Sequence, residues 1–195
     1  MAADGSRYEF PDPPPPTKAV PAVQCFDMRG ARVIVGAAGR GWRGDLRADD
    51  PIMRGGELWV PVLPESEFYR SEDDGDEAIA ALHPVETVWV EQADPAMDRR
   101  TAPPHLFERL VDNESPPTRY PVPASDVHGL TGRRVWVWRS GEFLADLRCV
   151  CEAFENSEGD IAINVCAERD WYRWARTGKA PRIDEALIHL AWVEH

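Results

Sequence analysis

Residues 30–36 of the chain read Gly-Ala-Arg-Val-Ile-Val-Gly, and residues 132–138 read Gly-Arg-Arg-Val-Trp-Val-Trp. The two stretches match at Gly30, Arg32, Val33 and Val35, each 102 positions from its counterpart. In both, valines alternate with other residues, which is the period of a half-buried β-strand. The repeat predicts that the chain contains two copies of one β-rich module.

Further matches follow in the same order along the chain and extend this repeat. They are Val20-Pro21-Ala22 with Val122-Pro123-Ala124, Asp45-Leu46-Arg47 with Asp146-Leu147-Arg148, Tyr69-Arg70 with Tyr172-Arg173, and Trp89-Val90-Glu91 with Trp192-Val193-Glu194. Because the matches are colinear and clustered, we interpret them as an internal duplication.

Each copy is predicted to contain the same series of elements. A first strand at residues 32–35 or 134–138 forms a hairpin with a strand that opens at Trp42 or Phe143. A third strand follows at 58–63 or 161–166, and a closing strand at 87–91 or 190–194. Between these two we expect a short helix that begins near Glu65 or Glu168 and ends at Gly75 or Gly178.

This series predicts a mainly β fold of two tandem small β-barrels. Each barrel has four to five strands with a short helix before the last strand, because so few strands are best closed as a barrel. The predicted boundaries are a disordered proline-rich tail at 1–19, barrels at 20–91 and 122–195, and a proline-rich linker at 92–121 with a short helix at 105–112.

The residue pattern of both copies resembles the tandem Tudor-like and Src-homology-like small β-barrels. The resemblance rests on the Val-x-Val first strand, the aromatic residue that opens the second strand (Trp42 or Phe143), and the closing strand after a helical turn. It implies a module that binds a partner rather than an enzyme.

Composition limits the classes of partner. The 22 basic and 34 acidic side chains give a net charge of −12, which makes nucleic acid an unlikely partner. The chain has no apolar run long enough to span a membrane and no secretory signal, so we expect a cytoplasmic protein without a membrane partner. Four cysteines are too few for a disulfide framework.

The aromatic residues of the second copy are the first candidates for partner binding. Trp136 and Trp138 alternate with inward valines and are therefore predicted on the other face of the strand. They would pack between the copies, or in a homodimer, or bind a partner. Trp171 and Trp174 are three residues apart on the predicted helix, and such residues can form a cage for a cationic group.

An acidic run near the end of the first predicted helix is the second candidate. Glu72, Asp73 and Asp74 belong to the densest group of acids in the chain. They form either a solvated loop or a surface that attracts a basic protein.

No catalytic or metal site is predicted. Cys149, Cys151 and Cys166 have a spacing that could start a zinc site, but the strand phase points Cys166 away from the other two. The repeated Asp-Leu-Arg, Glu and Tyr-Arg groups are interpreted as structural ion pairs, and the chain lacks phosphate-binding and nucleophile motifs. We therefore predict no catalytic residue, no cofactor and no metal, although a cleft between the copies would allow an enzyme.

The sequence thus favours a non-enzymatic binding or adaptor protein. Its predicted partner is a protein, and a basic one if the acidic rim contributes. The alternative is a nucleic-acid-associated regulatory protein that stacks bases on its tryptophans and uses the arginines of the second copy, namely Arg133, Arg134, Arg139, Arg173 and Arg176.

Overall fold

A computed structural model describes residues 11–97 and 114–194 of the chain. Within these ranges the protein is mainly β, with two seven-stranded sheets and two α-helices. The prediction of a mainly β chain is confirmed. The helix-like run predicted at 105–112 lies outside the described residues.

The first sheet is formed by the first copy. Its elements are β1 (Thr17–Pro21), β2 (Arg32–Ala37), β3 (Gly41–Ala48), β4 (Ile52–Arg54), β5 (Glu57–Pro64), helix α1 (Glu65–Asp74), β6 (Ala81–Pro84) and β7 (Val88–Ala93). The strands are ordered β1-β7-β2-β3-β5-β4, and β6 pairs with β5. Every pairing is antiparallel. Short 3-10 turns follow β1 and precede β7.

The second sheet repeats this arrangement element by element. It contains β8 (Pro121–Pro123), β9 (Arg134–Arg139), β10 (Glu142–Cys149), β11 (Phe154–Glu155), β12 (Ile161–Ala167), helix α2 (Glu168–Thr177), β13 (Asp184–Leu187) and β14 (Ala191–Glu194). Its order is β11-β12-β10-β9-β14-β8, with β13 paired to β12. Each strand therefore has the same neighbours as its counterpart in the first sheet.

The expected four to five strands per copy were too few. The additional strands are short, and several contain proline, as in the Pro-Val-Pro of β8 and at the ends of β1 and β6. Proline lacks the N–H that a central strand needs, but it is tolerated at the edge of a sheet, and β1 and β8 are the outermost strands in the order of their sheets. Strand β1 begins at Thr17, inside the segment that was expected to be a disordered tail ending at residue 19.

Each sheet packs valines of two neighbouring strands into one core, from β2 and β7 in the first sheet and from β9 and β14 in the second. Val33, Val88 and Val90 lie in the core of the first copy, and Val135, Val137 and Val193 lie in that of the second. The predicted inward phase of the Val-x-Val strands is confirmed. Trp136 and Trp138 alternate with these valines and lie on the opposite face of β9.

The repeated Asp-Leu-Arg motif marks a β-bulge in each sheet. Asp45 and Asp146 have positive φ values of 55° and 53°, and the register between the first two long strands shifts at these positions. A bulge bends a strand and re-aims its side chains. After the bulge, Leu46 is a core residue and Arg47 lies on the other face.

Both helices begin and end where the sequence predicts. Helix α1 begins at Glu65 and ends before Gly75, whose φ of 70° is left-handed and whose N–H donates to the Ser71 carbonyl. Helix α2 begins at Glu168, and Gly178 ends it with a φ of 72°. Glycine adopts this conformation without the steric cost that a Cβ adds.

The two compact units of the chain differ from the two copies at helix α2. One unit combines the described residues of Pro15–Tyr120 with Arg169–Pro181, and the other combines Pro121–Glu168 with 182–194 and 11–14. Helix α2, from Arg169 onward, therefore packs in the same unit as α1. No helix within residues 11–97 and 114–194 has the length and apolar character needed to cross a membrane.

Candidate functional site

A buried network of ion pairs surrounds Glu168 in the unit that contains the second sheet. The Oε1 atom of Glu168 accepts hydrogen bonds from Arg148 Nε at 2.7 Å and from Arg134 Nε at 3.0 Å and Nη2 at 2.9 Å. Arg134 also lies 3.7 Å from Glu194. All four side chains are almost completely buried. The network therefore links helix α2 to the strands that precede and follow it.

The first copy contains the corresponding network around Glu65. Arg47 lies 3.3 Å from Glu65 and donates to the Tyr69 hydroxyl at 2.8 Å and to the Gly30 carbonyl at 3.0 Å. Tyr172 of helix α2 donates its hydroxyl to Glu65 at 3.1 Å, and its ring stacks on Tyr69. These repeated polar residues hold helices against strands, which supports their interpretation as structural groups.

The acidic run on helix α1 is paired with arginines of helix α2 in the same unit. Asp73 accepts hydrogen bonds from Arg173 and, at 2.7 Å, from Arg169. The hydrogen bond from Arg173 is the main cause that holds the pKa of Asp73 far below its usual range. Asp74 accepts from Arg176 at 3.0 Å, while Glu72 is 3.9 Å from Arg169 and exposed.

These pairings also involve arginines of the nucleic-acid alternative. Arg173 and Arg176 pair with Asp73 and Asp74, and Arg134 is buried among carboxylates. Arg139 lies 4.0 Å from Asp184. A guanidinium that already binds a carboxylate must lose that partner before it can bind a phosphate. Arg133, which donates to the Gly129 carbonyl, is exposed.

The outer face of the second sheet carries a cluster of four aromatic residues, Trp136, Trp138, Phe143 and Trp192, which we call the aromatic patch. The Phe143 ring meets the other three edge to face, with centroid distances of 6.4 Å to Trp136, 4.8 Å to Trp138 and 5.4 Å to Trp192. Trp192 is buried, whereas the other three members are partly exposed. Trp136 and Trp138, predicted as partner-binding residues, therefore lie together.

One member of the patch, Trp136, is anchored by a hydrogen bond. The indole Nε1 of Trp136 donates to Glu194 at 2.9 Å, and Glu194 is fixed by the buried Arg134. Sequence reasoning had not placed Phe143 and Trp192 in this site. The alternation of residues along the strands is a signal that could have identified them. Phe143 lies opposite Trp138, and Trp192 lies opposite Trp136, on adjacent strands.

The corresponding face of the first sheet has a different composition. Ile34 and Gly36 replace the two tryptophans, and Trp42 packs edge to face on Trp89 at 6.0 Å. A Cβ on Gly36 would lie 2.2 Å from the Gly41 carbonyl oxygen and 2.8 Å from the Trp42 ring. Trp42 and Trp89 are also partly exposed, so the first copy carries a smaller aromatic pair, and only the two tryptophans on the Val-x-Val strand are a property of the second copy.

The remaining predicted aromatic residues lie on helix α2. Trp171 and Trp174 pack edge to face with centroids 5.5 Å apart, and both are partly exposed. Tyr172, which lies between them in sequence, is engaged with Tyr69 and Glu65. A cage for a cation needs several ring faces around one point. Here the two indoles turn an edge to each other, and the tyrosine ring stacks on Tyr69.

The cysteines of the second copy occupy different environments. Cys149 is a core residue opposite Val165, and burial raises the pKa of its thiol to about 11. Its sulfur donates to the Cys151 carbonyl. In the strand register Cys166 lies opposite Arg148, so its strand phase is opposite to that of Cys149, as predicted. Among the described residues, no three His, Cys, Asp or Glu side chains are placed to hold a metal ion.

Comparison of the chain with protein-family models, with curated proteins and with solved structures finds no match.

Proposed function

We propose that the protein is a non-enzymatic binding or adaptor protein that recognises a protein partner through the aromatic patch. The observation that carries this proposal is the edge-to-face cluster of Trp136, Trp138 and Phe143, which is partly exposed and anchored by Glu194. Aromatic residues dominate the binding energy of many protein interfaces, and rigid ones lose little entropy on binding. The patch is aromatic, and the ring contacts and the hydrogen bond from Trp136 to Glu194 restrict its side chains before a partner binds.

The fold that presents this patch is proposed to be a small barrel of the Tudor-like or Src-homology-like type. Support comes from the order of β2, β3, β5, β6 and β7, and from the 3-10 turn Val85–Thr87 that connects the last two strands. The second sheet repeats this order, with the turn Ile188–Leu190 before β14. Two such modules in one chain suit an adaptor, which binds through surfaces rather than through reacting groups.

A basic partner is favoured by the charge of the whole chain. Asp73 and Asp74 are paired with arginines, so the acidic run attracts a basic partner less strongly than its composition suggests. The net charge of the chain is nevertheless −12. A net charge of this size attracts cationic proteins over distances of about a Debye length, roughly 8 Å at physiological salt. The patch would then supply the short-range contacts, including cation–π contacts with lysine or arginine.

The test compares three forms of the full chain as bait in quantitative affinity capture: the native protein, Trp138→Ala and Ile161→Ala. Ile161 is an exposed apolar residue on β12 and is a matched control for loss of surface area. The baits are first shown to share one far-ultraviolet circular dichroism spectrum and one mass in solution. A partner recovered with the native and Ile161→Ala proteins is then purified for affinity measurement.

We expect Trp138→Ala to weaken binding of that partner by about 2 kcal/mol or more, which is roughly a thirtyfold increase in Kd. Ile161→Ala should change Kd less than threefold. Equal recovery of every captured protein by the three folded baits would contradict the proposal. A Trp138→Ala protein that changes its oligomeric state would instead assign the patch to a homodimer.

A further inference from the structure

The first sheet contains a hollow that the proposed function does not use. Its volume is about 200 Å³, and it is lined by residues of β2, β3, β5 and β6 and by Ile79, which precedes β6. The apolar wall includes Val35, Leu46, Val62 and Pro64. The bulge at Asp45 contributes to its shape, because the strand turns there and both Arg43 and Leu46 line the hollow.

Two nitrogen-bearing side chains, Arg43 and His83, line this apolar hollow. Arg43 makes no ion pair or side-chain hydrogen bond with another described residue, and the imidazole of His83 makes no hydrogen bond with one. Burial and the nearby charge of Arg43 lower the pKa of His83. None of the lining residues is acidic. The hollow therefore combines apolar walls with a guanidinium that pairs with no carboxylate of residues 11–97 and 114–194.

The second copy lacks both groups at the corresponding positions. By strand register and repeat spacing, Leu144 corresponds to Arg43, and Ala186 corresponds to His83. Ala186 is part of the hydrophobic core of the second sheet. One copy of the duplicated module thus has aliphatic residues at the two positions where the other has a cation and an imidazole. Fold maintenance does not require the polar pair, since the second sheet forms without it.

We propose that this hollow is a binding site for a small apolar carboxylate. A cavity of about 150 Å³ is enough for benzene, so a hollow of 200 Å³ can take one ring or a branched aliphatic group with a short acid arm. Arg43 binds the carboxylate, since a guanidinium offers two parallel N–H donors to its two oxygens. Neutral His83 has one N–H to donate. Ile79 also lines the hollow and is 99% exposed, so it offers apolar surface at the rim.

The test is a titration of the full chain with sodium phenylacetate, followed by two-dimensional amide NMR. Phenylacetamide, which has the same shape and no charge, is titrated in parallel. Two variants carry the residues of the second copy, Arg43→Leu and His83→Ala. Arg54→Leu is the matched control, because Arg43 and Arg54 are both exposed arginines of the first sheet and only Arg43 lines the hollow.

We expect saturable shifts confined to the strands around the hollow, with phenylacetamide binding at least tenfold more weakly than phenylacetate. Arg43→Leu should weaken phenylacetate binding at least tenfold, His83→Ala should weaken it severalfold, and Arg54→Leu should leave it unchanged. Absence of saturable shifts overturns the proposal. Equal affinity for acid and amide, or unchanged binding in a folded Arg43→Leu protein, overturns the assignment of a carboxylate. The aromatic patch takes no part in this titration. Failure of phenylacetate to bind would therefore leave the proposed function untouched.

Discussion

Replacing Glu168 by glutamine should be among the most destabilising conservative changes in the chain. The substitution keeps the volume of the side chain and one carbonyl acceptor. It removes the negative charge that Glu168 places between Arg148 and Arg134. The side chain of Glu168 is 0% exposed, that of Arg148 is 11% exposed and that of Arg134 is 4% exposed, so water cannot replace the lost carboxylate. Removing one partner from a buried ion pair costs about 3–5 kcal/mol. Because Arg134 keeps Glu194 at 3.7 Å, we expect a loss near 3 kcal/mol.

The matched control is Glu67→Gln on helix α1. Glu67 pairs with Arg70 at 2.9 Å, but the two side chains are 47% and 29% exposed, so the loss should be below about 1 kcal/mol. Urea unfolding is followed by circular dichroism and by tryptophan fluorescence, and stabilities are compared where the two probes coincide. A loss for Glu168→Gln that equals the loss for Glu67→Gln would refute the assignment of this network to the stability of the fold.

Three further substitutions probe other parts of the chain. Asp73→Asn should lower the free energy of unfolding at pH 7, and the gap should close as pH falls. The pKa of Asp73 is depressed in the folded protein, so its contribution is complete above the ordinary value of 3.8 and is lost as pH falls toward the folded value. Urea titrations at several pH values measure the gap, and a constant gap down to pH 3 would contradict this cause. Gly36→Ala should cost about 1–3 kcal/mol, because its Cβ would overlap the Gly41 carbonyl and the Trp42 ring. Gly75 has open space around it but a left-handed φ, so Gly75→Ala should cost about 1 kcal/mol. A larger loss of unfolding free energy for Gly75→Ala than for Gly36→Ala would contradict the steric overlap at Gly36.

Periodicity and repetition were sufficient to predict the long strands and both helices. The Val-x-Val strands alternate clearly, and Gly75 and Gly178 are suited to end a helix. The short strands could not be predicted, since pieces such as Pro121–Pro123 have no alternation and form only because a neighbouring strand offers hydrogen-bond partners. Their pairing depends on residues distant in sequence.

The candidate site was predicted only in part for the same reason. Strand phase alone put Trp136 and Trp138 on the outer face of the second copy. Composition alone suggested an acidic surface at Asp73, but the residues that neutralise it lie about 100 positions away on helix α2. A local run of acids does not reveal a distant cation that will pair with it.

By itself the sequence determined the duplication, the mainly β character and the inward face of each long strand, because these depend on spacing between near neighbours. Tertiary structure decided which helix packs in which unit, which charges are buried in pairs, and which aromatic rings meet. It also decided that Arg43 and His83 share an apolar hollow. These outcomes depend on contacts between residues far apart in the chain, and such contacts are set by packing of the whole fold rather than by local preference.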